Sequence, residues 1–176
     1  MFSHSIYAQF GSKLGLAANL NIPTSDFSDM AKSGFGGSGY IIANAIPRMA
    51  FTGAIGYYVF GKKEKNTGGN STEFSIRTVP FLLGLRYYLG SPAEPKPFFG
   101  ALLSLYSMII KTKNTTPGSP ADEKTDRRGR FGFAPVAGLE LSKLDFSVFY
   151  MIIPDEIEGV KLNYNHIGFQ LGINFY

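Results

Sequence analysis

Along most of this chain apolar residues alternate with small or polar ones at a period of two. That pattern selects β-strands with one apolar face and excludes amphipathic helices, whose period is about 3.6. Phe10, Leu14, Leu16, Ala18, Leu20 and Ile22 alternate with Gln9, Gly11, Lys13, Gly15, Asn19 and Asn21. In residues 49–61, Phe51, Ile55, Tyr57 and Val59 alternate with Ala50, Thr52, Ala54 and Gly56. In residues 75–89, Val79, Phe81, Leu83, Leu85, Tyr87 and Leu89 share one face, opposite Thr78, Gly84, Arg86 and Tyr88. At the end of the chain Ile167, Phe169, Leu171, Ile173 and Phe175 alternate with Gly168, Gln170, Gly172 and Asn174. Residues 36–46, 97–110, 131–142 and 144–153 follow the pattern less cleanly and bring the expected strands to eight. The longest unbroken run of aliphatic and aromatic residues, 148–153, is far short of the roughly 18 that a membrane helix needs.

The connections alternate in length. Residues 23–35, 62–74, 111–130 and 154–163 are long and polar, whereas 47–48, 90–96 and the single Lys143 are short. Short turns on one side and long loops on the other are the signature of an up-and-down barrel in an outer membrane. Charge placement points the same way. Of the 30 charged residues only Lys13, Arg77, Arg86, Glu140 and Asp145 fall inside the eight strand windows. A soluble sandwich would carry charges on its outward strand faces. The expected fold is therefore all-β: an eight-stranded, antiparallel, up-and-down transmembrane β-barrel with short periplasmic turns and long external loops. Residues 9–176 form this single domain. Residues 1–8 are expected to be a signal-peptide remnant or a disordered N-terminus, since Ser5-Ile6-Tyr7-Ala8 reads like the end of a secretory signal.

Composition removes other classes. With 44% apolar residues the chain is too hydrophobic for disorder, and without cysteine it has no disulfide frame, thiolate metal site or thiol nucleophile. The net charge of +4 is not gathered on one helix or sheet face, so no nucleic-acid partner is expected. Gly34-Phe35-Gly36-Gly37-Ser38-Gly39 matches a dinucleotide fingerprint, but no parallel strand precedes it and no helix follows, so it reads as a loop-to-strand transition. His166 is followed two positions later by Gly168 rather than a serine, so it is expected to be a polar strand-end residue and no catalytic site is assigned. No metal or cofactor is expected either. Pro80 and Pro135 fall inside strand windows, where local bulges are expected.

Two groups of residues stand out as candidate sites. Lys13, Arg86, Glu140 and Asp145 all lie on the lumen phase near the periplasmic end. Two positive and two negative charges would neutralise one another in an interior where an unpaired ion is costly, and the group is expected to plug the lumen. A proton or ion path is the sharper alternative. The second group is Lys111, Lys113, Lys124, Arg127, Arg128 and Arg130, in a loop expected to be external. Its bland reading is a solvated loop; its functional one is contact with lipopolysaccharide phosphates.

The runs FTGAIGYYVFGKKE, TVPFLLGLRYYLG, KPFFGALLSLYSM, RFGFAPVAGLELS and NHIGFQLGINFY resemble the small bacterial outer-membrane β-barrel domains of the OmpA/OmpX/OmpW type, in the form common in Bacteroidetes-like bacteria. The resemblance covers about residues 9–176. It implies a non-enzymatic outer-membrane protein with a structural or surface-recognition role. Its implied partners are outer-membrane lipid and lipopolysaccharide, the barrel-insertion machinery, and a further protein of a larger envelope assembly. Family members end in an aromatic of the alternating apolar set that the insertion machinery reads; here Tyr176 is out of phase and Phe175 is in phase. Two other readings are a soluble lipocalin-like carrier of a small apolar ligand and a lipid-modifying outer-membrane enzyme.

Overall fold

The computed structural model describes residues 11–67, 70–89, 95–116, 121–157 and 160–175. The strands in chain order are β1 (Ser12–Pro23), β2 (Gly34–Ile46), β3 (Met49–Phe60), β4 (Lys63–Thr67), β5 (Asn70–Tyr88), β6 (Lys96–Thr115), β7 (Asp122–Leu141), β8 (Leu144–Met151), β9 (Pro154–Ile157), β10 (Val160–Asn163) and β11 (His166–Phe175). One short helix, α1 (Phe27–Met30), lies between β1 and β2.

Eight of these strands form a ring. Antiparallel pairing runs β1–β2–β3–β5–β6–β7–β8–β11 and returns from β11 to β1. The register can be followed around it from Lys13 through Ile42, Thr52, Gly84, Leu102 and Ala134, then across a gap in the β7–β8 ladder, whose register on both sides sets Ala134 opposite Met151, and on to His166. The path comes back to β1 at Pro23, ten residues beyond its start. That stagger is the shear that obliges the strands to tilt as the sheet closes. Every residue on the path faces inward, so the period of two in the sequence becomes one inner and one outer surface.

The outer surface is apolar. Leu14, Leu16, Phe35, Phe51, Leu83, Leu103, Phe131 and Phe146 are exposed, Phe131 at 78% and Leu83 at 69%. The inner surface holds the buried polar groups Asn19, Asn21, Ser38, Thr78, Ser104, Ser147, Gln170 and Asn174 together with aromatic rings. An eight-stranded barrel has an interior only just wide enough for side chains, and glycines on the inner face make room for those rings. Gly15 and Gly172 flank the Tyr40 hydroxyl; a Cβ on either would stand 2.5 Å from that oxygen. Gly34 and Gly36, the start of the fingerprint-like run, lie within β2 against Phe60 and Tyr58.

Three expectations are corrected. Three of the four long connections, 62–74, 111–130 and 154–163, are largely β-structure among their described residues, whereas 23–35 remains a loop bearing α1. β5, β6 and β7 run for 19, 20 and 20 residues, against roughly 9–11 for a strand that only crosses the bilayer. Their outer halves, with β4 paired to β5, form a wall above the ring, and β9–β10 form a separate hairpin. Residues 111–130 are thus mostly strand. Second, neither proline makes a bulge. Pro80 and Pro135 keep register with Tyr106 and Ala101 on one side. On the other side the β3–β5 pairing skips Val79 and Pro80, and the β7–β8 pairing skips Ala134 and Pro135, yet the same register resumes beyond each gap. The missing N–H removes a ladder bond without adding a residue. The register shift among the described pairs lies instead at Asn44–Ile46. Third, the β7–β8 turn is Ser142-Lys143, with Ser142 in the left-handed region at φ 45°, not Lys143 alone.

Candidate functional site

At the short-turn end of the ring, Glu140 on β7 and Asp145 on β8 are direct cross-strand partners. Like charges so placed repel. Each is held by a cation from another part of the ring. Lys13 Nζ on β1 donates to Glu140 Oε1 at 2.7 Å. Arg86 on β5 bonds both Asp145 oxygens, Nη1 to Oδ2 and Nη2 to Oδ1, the latter at 3.3 Å. The Tyr88 hydroxyl donates to Glu140 Oε2 at 2.9 Å, and Lys96 Nζ stands 3.8 Å from Oε1. The Arg86 guanidinium lies 4.3 Å from the centroid of the Phe98 ring, a cation–π distance. The Asp145 side chain is 0% exposed and that of Glu140 3%. Separately, the Tyr40 hydroxyl donates to Asn174 Oδ1 at 2.9 Å. The structure therefore brings Lys13, Arg86, Glu140 and Asp145 together as two ion pairs that span the lumen.

The opposite mouth is filled by aromatic rings. α1 carries Phe27, 1% exposed, into the barrel, where its ring meets Phe60 at 4.8 Å and Tyr164 at 5.7 Å. His166, expected as a polar strand-end residue, does begin β11 but is buried in this cluster. It faces Phe27, Phe60, Tyr106 and Phe149, with its Nε2 3.2 Å from the Tyr106 hydroxyl. Its Nδ1 lies 3.5 Å from the Tyr164 carbonyl oxygen, so among the described residues neither ring nitrogen meets a serine or a carboxylate. The segment bearing α1 is tied down from several directions. The Asp26 carboxylate accepts from the Asn163 backbone N–H at 2.9 Å, and Thr24 N–H donates to Asn165 at 2.8 Å. Lys63 donates to the Ser28 carbonyl. Burial, with the Asp155 charge in second place, raises the Tyr164 hydroxyl above its ordinary pKa.

The six basic residues of the expected loop lie on β6 and β7 and divide between the two faces. Arg128 and Arg130, on the inner phase, meet acids: Arg128 Nε donates to Asp126 at 2.5 Å, and Arg130 Nε stands 2.7 Å from Asp155 Oδ1. Arg128 Nη1 is 3.7 Å from the other Asp155 oxygen, so Asp155 fastens β9 to the wall. Lys124 shares their phase and is exposed. Lys111, Lys113 and Arg127 face outward. Lys113 pairs with Glu123 at 3.8 Å, whereas Lys111 and Arg127 make no ion pair with a described residue. Arg77 on β5 joins them: it lies in one cross-strand row with Ile109 and Arg127. Across the wall's edge, the hydrogen bond from Lys62 to Glu73, 2.7 Å long, raises the lysine's pKa.

No family model matches this chain, and no curated protein matches it in sequence. Among solved structures it resembles Ail, the attachment invasion locus protein of Yersinia pestis, in complex with the heparin analogue sucrose octasulfate. The TM-score is 0.53 at 12% identity, over 93% of this chain and 97% of that one. It also resembles Neisserial surface protein A, NspA, with a TM-score of 0.53 at 18% identity, over 93% and 95% of the two chains. The fold is that of the small outer-membrane β-barrels.

Within that fold the lumen charges were accessible to sequence reading and the plug was not. Phe27 lies outside any alternating stretch, so periodicity gave no reason to place it inside. Arg77 sits on the apolar phase and reads only as a strand-end charge until the wall extends β5 beyond it. The alternation in Lys111-Thr112-Lys113 and Lys124-Thr125, with a β-branched threonine in each, was the available signal for that extension.

Proposed function

We propose that this chain is a non-enzymatic integral protein of a bacterial outer membrane, closed to flow by its own side chains and active through its external wall. The single observation that carries the proposal is the inverted surface: exposed leucine and phenylalanine outside, buried ion pairs inside. In water that arrangement places the hydrophobic and the charged groups each in the wrong solvent; in a bilayer both are satisfied. The ion pairs at one end and the Phe27–His166 cluster at the other act as two stoppers. This supports a structural or surface-recognition role over conduction. The same filled interior, ions below and rings above, argues against a carrier of a small apolar ligand, and the aromatic cage of His166 argues against lipid hydrolysis.

Ail was solved with a sulfated heparin analogue. The basic wall makes anionic surface molecules the chemically apt ligands here too. The test is reconstitution of the full chain into planar lipid bilayers. The plugged barrel gives no stable current steps, and Phe27→Ala alone does not open it because the ion pairs still close the other end. Steady ohmic steps from the wild type would overturn the plugged reading.

A further inference from the structure

The outer face changes character along β5, β6 and β7 in a fixed order of cross-strand rows. Phe81, Leu105 and Phe131 form an exposed apolar row. Above it come Val79, Ser107 and Gly129, and then Arg77, Ile109 and Arg127. Lys111 follows in the next row between Ser75 and Thr125. At about 3.3 Å per residue, the arginines stand roughly 13 Å along the strands from the apolar row. They also flank Ile109 at two strand spacings, about 10 Å apart at Cα. The six residues of the two upper rows line a surface depression of about 360 Å³. In the row below, a Cβ built on Gly129 would meet nothing within 4 Å, so no side chain covers the outer face there.

Neighbouring basic residues are engaged by acids: Lys62 with Glu73, Lys113 with Glu123, Arg128 with Asp126 and Arg130 with Asp155. Arg77, Lys111 and Arg127 have no ion-pair partner among the described residues. Three cations with two hydroxyls, on the same outward face as the apolar row and beyond it, suit an anion that is itself anchored in the membrane. Arginine pairs bind phosphate oxygens through forked, charge-assisted hydrogen bonds.

We infer that Arg77, Lys111 and Arg127 form a lateral site for a phosphorylated glycolipid of the outer leaflet. Its acyl chains lie against Leu105 and Phe131, and its sugar sits in the notch at Gly129. The two arginines each take a phosphate, and Lys111 adds a third positive charge from above. The inference rests on the outer-membrane placement proposed above. It narrows the basic loop residues to Lys111 and Arg127, adds Arg77, and leaves Arg128 and Arg130 to the fastening of β9.

Native mass spectrometry tests it, with the full chain folded in a zwitterionic detergent and titrated with diphosphoryl lipid A. The wild type retains one lipid. The double variant Arg77→Gln/Arg127→Gln weakens retention by about tenfold or more, the loss of two charge-assisted contacts. Arg128→Gln retains it as the wild type does. Lipid A stripped of both phosphates binds as weakly to the wild type as the intact lipid does to the double variant. Undiminished binding by the double variant, equal binding of the dephosphorylated lipid, or displacement by equimolar inorganic phosphate or sucrose octasulfate would overturn the inference. Each preparation is also run unheated and boiled on a gel. A wild type without a heat-dependent shift defeats the barrel reading itself, whereas a shifting barrel that ignores the phosphates defeats only the lipid site.

Discussion

Glu140 and Asp145 face each other across a β7–β8 pair, and the barrel is stable with them there because Lys13 and Arg86 reach across the lumen. Removing one partner of such a pair leaves an ion without water or counter-charge. Arg86→Ala therefore destabilises the folded barrel by about 3–5 kcal/mol. The double variant Arg86→Met/Asp145→Leu recovers much of that loss, since an apolar pair of similar volume carries no desolvation penalty. Urea unfolding of the refolded protein in detergent, taken through the full double-mutant cycle, measures both. Additive losses would show that the two side chains do not act as a pair. The four charges were legible in the sequence because alternation fixes which face a residue occupies. Who pairs with whom was not, because it depends on the register between strands far apart in the chain. His166 stands at a strand end as its sequence position suggested, but its burial was not legible, because the rings that pack on it come from β3, β6, β8 and α1.

At the scale of elements, the external end is assembled from pieces that lean on one another. α1 inserts Phe27, β10 ties to Asp26 through Asn163, and Asp155 on β9 meets Arg128 and Arg130 on β7. Phe27→Ala removes a fully buried ring from this cluster and costs about 3–5 kcal/mol in the same unfolding assay. Asp155→Ala releases the β9–β10 hairpin from the wall. Limited proteolysis then cuts near residues 154–163 faster than in the wild type, while the heat required to unfold the ring changes little. Equal protease resistance of the two proteins would show that the hairpin is held by other contacts. The ring strands were readable because lipid on one side and a filled lumen on the other enforce strict alternation. The wall was not, because above the membrane both faces meet water and charges are tolerated on either phase. The prolines show a further limit. Composition reveals a missing donor, yet only the neighbouring strand decides whether a bulge or a gap answers it.

The whole molecule is a surface turned inside out, and low charge along the strands made that readable in the sequence. The function of the wall was less readable, since it depends on how residues from β5, β6 and β7 fall into rows. Everything above depends on the eight-stranded ring being a closed barrel whose apolar exterior belongs in a membrane. The most direct measurement is gel mobility of the detergent-extracted protein, unheated against boiled, together with its recovery from fractionated cells. A closed membrane barrel resists detergent until heated, so two distinct mobilities and recovery in the outer-membrane fraction alone are expected. One mobility under both conditions, with the protein soluble in the absence of detergent, would contradict it.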